Sequence, residues 1–85
     1  MAEKYSVYMA DHYYQGAGAF DSLEDAIVYA IKKIDMGYAR IYRIGWGDRT
    51  NGFITGGKRG VFLFLDVNAE RTYRFNKSGK RITRR

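Results

Sequence analysis

The sequence predicts an α+β fold in which one helix packs on a mostly antiparallel sheet of four to five strands. Three observations favour this fold. A single long segment has helical periodicity, several short segments have the alternating or continuous apolar pattern of strands, and glycine-rich or polar turns separate these segments. The predicted order of elements is β-α-β-β-β. Because 85 residues suffice for one core, residues 1–85 are predicted to form one domain.

The first strand is predicted over residues 4–10, where Tyr5, Val7 and Met9 alternate with their neighbours. The segment that follows, residues 11–19, contains two glycines and is predicted to be a loop.

The helix is predicted within residues 20–37. Apolar side chains recur there at intervals of three and four residues, at Leu23, Ala26, Ile27, Ala30, Ile31 and Ile34. Either Ser22 or Asp21 can cap the first turn, because a short side-chain oxygen accepts a hydrogen bond from a free backbone N–H. Gly37 is the expected left-handed residue that ends the helix.

The second strand is predicted over residues 38–46, directly after the helix. Alternation divides it into two faces, one with Ala39 and Ile41 and the other with Arg40, Tyr42, Ile44 and Trp46. Because a strand, a helix and a strand follow one another with a short exit loop, the first two strands are expected to be parallel neighbours joined by a right-handed crossover.

The second half of the chain is predicted to be mainly antiparallel strands. Residues 45–60 hold six of the ten glycines and are the least regular stretch, with a short extra strand predicted at 53–55. The apolar run 61–67 predicts a central strand buried on both faces. Residues 71–75 alternate as a strand, and residues 80–83 are expected to add a short, positively charged edge strand.

Charge is distributed unevenly along the chain, whose net charge is +6. Residues 1–39 contain three basic and six acidic residues, a net of −3, whereas residues 40–85 contain twelve basic and three acidic residues, a net of +9. We therefore expect an acidic helical side and a basic side that includes residues 77–85 as a C-terminal tail or edge strand.

Composition excludes several classes of function. The chain has no Cys, which excludes disulfides and thiolate metal sites and suits a reducing compartment, so a cytoplasmic location is predicted. It also lacks a long apolar run and a signal peptide, so no contact with a membrane is predicted. The chain has a single His, which directly follows Asp11. Because neighbouring residues on an extended chain point to opposite faces, these two are not expected to form a catalytic pair. The predictions are no enzymatic activity, no cofactor and no metal.

One motif partly matches a phosphate-binding loop, with Gly52 followed after four residues by Gly57 and Lys58. The next residue is Arg59, where a magnesium-binding Ser or Thr is required, and the segment that follows is a predicted strand. A hairpin loop is the preferred interpretation.

The leading functional prediction is that the basic half binds nucleic acid or another polyanion. Arg and Lys neutralise phosphates, and exposed aromatic rings stack on unpaired bases. The predicted binding residues are Arg40, Tyr42, Arg43, Trp46, Arg49, Lys58, Arg59, Lys77, Lys80 and Arg81. Among them Arg40, Tyr42 and Trp46 are expected to share the sheet face opposite the helix.

The alternative is a protein–protein interaction module that binds an acidic protein surface. Trp, Tyr and Arg are the residues that dominate the binding energy of interfaces. Small phage-type inhibitors or adaptors that act on host proteins have this general size and charge, although no shared motif supports the comparison. A homodimer that buries the aromatic face is a further alternative.

Overall fold

The computed structural model describes residues 4–10 and 17–82, and in them one helix lies on one face of a six-stranded antiparallel sheet. In chain order the elements are β1 (Tyr5–Met9), β2 (Ala17–Phe20), α1 (Leu23–Asp35), β3 (Ile41–Trp46), β4 (Arg49–Lys58), β5 (Val61–Asp66) and β6 (Arg71–Phe75). The strands lie in the order β2-β1-β3-β4-β5-β6. The α+β class is confirmed, but the sheet has six strands instead of four or five.

Strand β2 changes the predicted connection between β1 and the helix. Residues 17–19 of this strand belong to the predicted loop and Phe20 to the predicted helical segment, whereas residues 11–16 lie outside the described residues. It pairs antiparallel with β1, with Tyr5 opposite Phe20. This hairpin reverses the chain before the helix, so β3 returns antiparallel to β1. The predicted parallel pairing of the first strand with the strand after the helix is therefore wrong, since the crossover joins β2 to β3 with β1 between them.

The helix begins where its apolar stripe predicts. The Ser22 hydroxyl accepts a hydrogen bond from the backbone N–H of Asp25 at 3.1 Å, which identifies Ser22 as the N-cap. Asp21 instead forms a surface ion pair with Lys4 at 2.8 Å.

The end of the helix is a Schellman motif. The backbone N–H of Gly37 donates to the carbonyl of Ile34, and that of Tyr38 donates to the carbonyl of Lys33. Gly37 has a φ of 86°, a left-handed conformation that glycine adopts without strain. The prediction that this glycine ends the helix is confirmed.

Strand β4 is much longer than the short strand predicted at 53–55. It spans Arg49–Lys58 and lies between β3 and β5. Glycine is depleted in strands, so its glycines concealed it in the sequence. Packing requires a glycine at position 52, because a Cβ there would lie 2.6 Å from Cζ of Phe64. The glycine makes room for an aromatic ring of the core.

Strand β5 is buried on one face only. Phe62 and Phe64 are almost completely buried, whereas Leu63 and Leu65 are 38% and 46% exposed. The prediction of burial on both faces is wrong, because α1 covers one side of the sheet and no described element covers the other.

The chain after β6 forms a turn rather than a full strand. The Asn76 side-chain oxygen accepts hydrogen bonds from the backbone N–H groups of Ser78 and Lys80, at 3.0 and 2.9 Å. Of the predicted strand at 80–83, the described part contributes a single bridge, between Arg81 and Phe75, and residue 83 lies outside the described residues.

The core lies between α1 and the sheet. The predicted helical stripe is buried there, apart from Leu23, which is partly buried. The largest fully buried side chains are Phe62, Phe64, Ile31, Ile44 and Ile54. Since side chains alternate along each strand, every strand that buries one face in this core presents its other face to solvent. The sheet therefore has one packed face and one open face.

Candidate functional site

The open face is the sheet surface on the side away from α1. Strand register brings its side chains into rows, in which Ile41 lies opposite Thr55 and Thr55 lies opposite Leu63. In the neighbouring row Phe53 lies opposite Leu65. Strands β3, β4 and β5 thus place large apolar residues side by side although these residues are far apart in the sequence.

The centre of the open face is a depression of about 490 Å³, which we name the apolar depression. It is lined by Ala10, Ile41, Phe53, Thr55, Leu63, Leu65 and Thr72. The size pattern explains its shape, because Thr55 is shorter than Ile41 and Leu63 on either side of it. The Thr55 hydroxyl donates to the carbonyl of Arg40 at 2.9 Å, so this polar group is already satisfied within the protein.

A second depression of about 470 Å³, which we name the basic depression, adjoins the first. Three cationic side chains line it, those of Arg40, Lys58 and Arg74. The two depressions share Thr55 and Leu63. None of the three cations forms an ion pair with a carboxylate in the described part of the chain.

The open face has no compensating negative charge on its strands. Asp66 is the sole carboxylate in the six described strands, and its side chain lines a cleft beside α1, on the packed side. One of its oxygens accepts hydrogen bonds from the backbone N–H groups of Asn68 and Ala69. The open face therefore combines an apolar centre with uncompensated positive charge.

Arg43 lies on the open face but is occupied by contacts within the protein. Its guanidinium group stacks over the ring of Tyr8, 4.1 Å from the centroid. The same group donates hydrogen bonds to the carbonyl groups of Gly47 and Arg49, both at 3.2 Å, and to the hydroxyl of Thr50 at 3.0 Å. Arg43 therefore holds the turn between β3 and β4, a structural role that the sequence interpretation missed.

The two aromatic residues predicted to stack on bases are not on the open face. Tyr42 is 3% exposed and belongs to the core. Trp46 is 49% exposed, but it has the same strand alternation as Tyr42 and Ile44 and so belongs to the other face. The expectation that Arg40, Tyr42 and Trp46 share the face opposite the helix is therefore not met.

The remaining predicted binding residues are dispersed. Arg49 begins β4 and Arg59 lies in the turn before β5, and both are exposed. Lys77 lies 4.0 Å from the carboxylate of Asp35 at the end of the helix.

Lys80 and Arg81 line a cleft beside the first half of α1, and the Arg81 guanidinium group stacks over Tyr73 at 4.4 Å. Together with Lys77 they lie on the helix side. Of the ten predicted residues, the structure brings Arg40 and Lys58 together in the basic depression and Lys80 and Arg81 together in the cleft beside α1.

The ten predicted binding residues omit most of the residues that form the open face. They are Tyr8, Ile41, Phe53, Leu63, Leu65 and Arg74. Alternation within each strand separates the two faces, but β5 is apolar at both sets of positions and gives no contrast. The pairing register is what brings these residues together, and no local pattern contains it.

Other types of site find little support in the described part of the chain. No group of three or more His, Asp or Glu side chains there could hold a metal ion. Among the same residues, no helix has the length and apolar character needed to cross a bilayer. No protein-family model matches the chain, and no curated protein or solved structure matches it either.

Proposed function

We propose that the protein is a non-catalytic binding module whose open face binds an acidic and apolar surface of a partner protein. The observation that carries the proposal is the apolar depression bordered by Arg40, Lys58 and Arg74. Exposed aliphatic groups gain free energy when a partner removes them from water, at roughly 25 cal/mol per Å². The cations of the adjoining basic depression favour a partner with carboxylates.

The apolar side chains of the open face are at least partly exposed, so they contribute little to the stability of the folded chain. Leu63, Leu65 and Ile41 are each at least 38% exposed and are clustered, and contiguous apolar patches of this kind mark interaction surfaces. A second copy of the chain is a poorer occupant than an acidic partner. Two open faces in contact would bring two surfaces of net positive charge together, and repulsion between like charges suppresses association.

Nucleic acid is the second candidate. Phe53 and the Arg43–Tyr8 stack lie on the positive open face, and both are compatible with contact to bases. The centre of the face, however, is mainly aliphatic, with Phe53 as the one aromatic side chain in the lining of the apolar depression, and Tyr42 is buried. These observations favour the protein partner.

The proposal can be tested by selecting peptides from a random display library on the immobilised full-length protein. We expect the selected peptides to be acidic and to contain large apolar residues. The nuclear magnetic resonance signals of Ile41, Phe53, Leu63 and Leu65 should shift when such a peptide is added. Leu65→Ser should abolish the shifts, whereas Val67→Ser should not, because Val67 is similarly exposed but lies outside the apolar depression.

If the selection recovers no acidic peptide, or if peptide binding survives Leu65→Ser, the proposal is overturned. Two further assays test the other occupants of the open face. If single-stranded DNA binds through the open face instead, with an affinity that falls steeply with salt, the nucleic-acid candidate replaces it. A dimer in sedimentation that Leu65→Ser dissociates would identify a second copy as the occupant.

A further inference from the structure

We infer that the open face recognises a composite motif, in which carboxylates lie within a short distance of an apolar side chain. This inference rests on the proposed function and specifies the chemistry of the partner segment. Its basis is that the apolar depression and the basic depression are adjacent and share Thr55 and Leu63 as a common boundary.

The boundary sets how far apart the two features of the partner lie. Thr55 and Leu63 are register partners on adjacent strands, and Leu63 is in turn opposite Arg74 on β6. Adjacent strands are about 4.8 Å apart, and one face of a strand repeats about every 6.8 Å. An apolar group seated beside Leu63 therefore has the cations of the basic depression within about two residues of an extended segment.

The charges of the basic depression are available for such a segment. Arg40, Lys58 and Arg74 are exposed and form no ion pair with a described carboxylate, in contrast to Lys4 and Lys77. Arg43, a further cation of this face, is held by hydrogen bonds to the turn between β3 and β4. The carboxylates of the partner are thus directed to one end of the apolar depression rather than to its whole rim.

The inference predicts that spacing matters, not only composition. Two synthetic peptides of identical composition test this prediction. In one, a Leu is followed directly by two Glu residues, and in the other a run of Ser and Gly separates the Leu from the same Glu residues. We expect the first peptide to bind roughly tenfold more tightly, the size expected for two or three exposed ion pairs.

Substitutions assign this difference to the basic depression. Arg74→Gln removes one of the three cations, so it should weaken binding of the first peptide about two- to threefold and leave the second unchanged. Arg71→Gln is the matched control, because Arg71 is an exposed arginine of the same strand that alternates to the opposite face. Isothermal titration calorimetry at two salt concentrations gives the affinities.

The outcomes distinguish this inference from the proposed function. Equal binding of both peptides to the open face, unaffected by Arg74→Gln, overturns the composite motif and leaves the proposed function standing. If neither peptide shifts the signals of the open face, and the library selection also returns no acidic peptide, both are overturned.

Discussion

The guanidinium group of Arg43 stacks on the ring of Tyr8, with its central carbon 4.1 Å from the ring centroid. The two residues are register partners on β3 and β1. The Tyr8 hydroxyl accepts a hydrogen bond from the backbone N–H of Gly47 at 3.3 Å, and Arg43 donates to the carbonyl of the same residue. Both side chains thus stabilise the turn that joins β3 to β4, although Tyr8 lies in β1, far from that turn in the sequence.

We predict that Arg43 contributes to stability through its planar, multiple-donor geometry rather than through its charge. Arg43→Lys keeps the charge but loses the forked hydrogen bonds, and should lower the free energy of unfolding by about 1 kcal/mol or more. Arg43→Ala, which also removes the ring contact, should cost about 1–3 kcal/mol.

Urea unfolding followed by circular dichroism measures both changes. Arg74→Lys is the control, since Arg74 is an exposed arginine without an ion pair to a described carboxylate and should change stability by less than about 0.5 kcal/mol. Equal stability of Arg43→Lys and the parent protein would contradict the structural role.

The two faces of β5 should respond differently to substitution. Phe64→Ala empties part of the core and should cost about 3–5 kcal/mol. Leu65→Ser changes a side chain that is 46% exposed on the open face and should cost less than about 1 kcal/mol. Thermal unfolding of the two variants measures the difference, and similar losses would mean that the open face is covered within the chain.

Gly52 should be required for space, and Gly37 for backbone conformation. Gly52→Ala places a Cβ against the Phe64 ring and the Leu65 carbonyl, and should cost about 1–3 kcal/mol or more. Gly37→Ala meets no atom within 4 Å, so its cost, about 1–2 kcal/mol, comes from the φ of 86° alone.

Substitution by Asn distinguishes these two causes. Asn tolerates the left-handed conformation, so Gly37→Asn should be more stable than Gly37→Ala. Gly52→Asn should be less stable than Gly52→Ala, because the larger side chain needs more room. The opposite order at either site, measured by urea unfolding, would refute the assigned cause.

The helix cap should depend on Ser22 and not on Asp21. Ser22→Ala removes the acceptor for the Asp25 N–H and should cost about 1 kcal/mol, whereas Ser22→Asp should retain most of the stability. Asp21→Ala removes an exposed ion pair with Lys4 and should cost at most about 1 kcal/mol, less than Ser22→Ala. Denaturant unfolding measures these stabilities. A larger loss for Asp21→Ala than for Ser22→Ala would mean that Asp21, and not Ser22, caps the helix.

The elements differ in how well the sequence predicts them. The helix is predicted almost completely, because its stripe, its cap and Gly37 are all local features. β1, β3, β5 and β6 are predicted near their observed positions. β2 is missed because its sequence, three small residues followed by one phenylalanine, shows no alternation of apolar and polar side chains. The length of β4 is underestimated because its glycines are typical of a loop.

The candidate site is predicted less well than the fold. Positive charge in the second half of the chain does direct attention to Arg40 and Lys58, which the structure brings together. The alternation of β3 also separates Tyr42 from Ile41, but the sequence does not say which of the two faces the helix covers. The prediction places the helix on the face opposite Tyr42. Tyr42 is therefore expected on the surface, whereas it lies in the core.

The sequence by itself determined the helix, the α+β class and the excess of positive charge in residues 40–85, because these depend on neighbours within a few positions or on composition alone. The tertiary structure alone decided the strand order, the pairing register and the face that α1 covers. These depend on contacts between residues far apart in the chain, such as Ile41, Thr55 and Leu63, and on a single helix that can bury one side of a sheet. The open face and its two depressions therefore follow from the strand order, the pairing register and the position of α1.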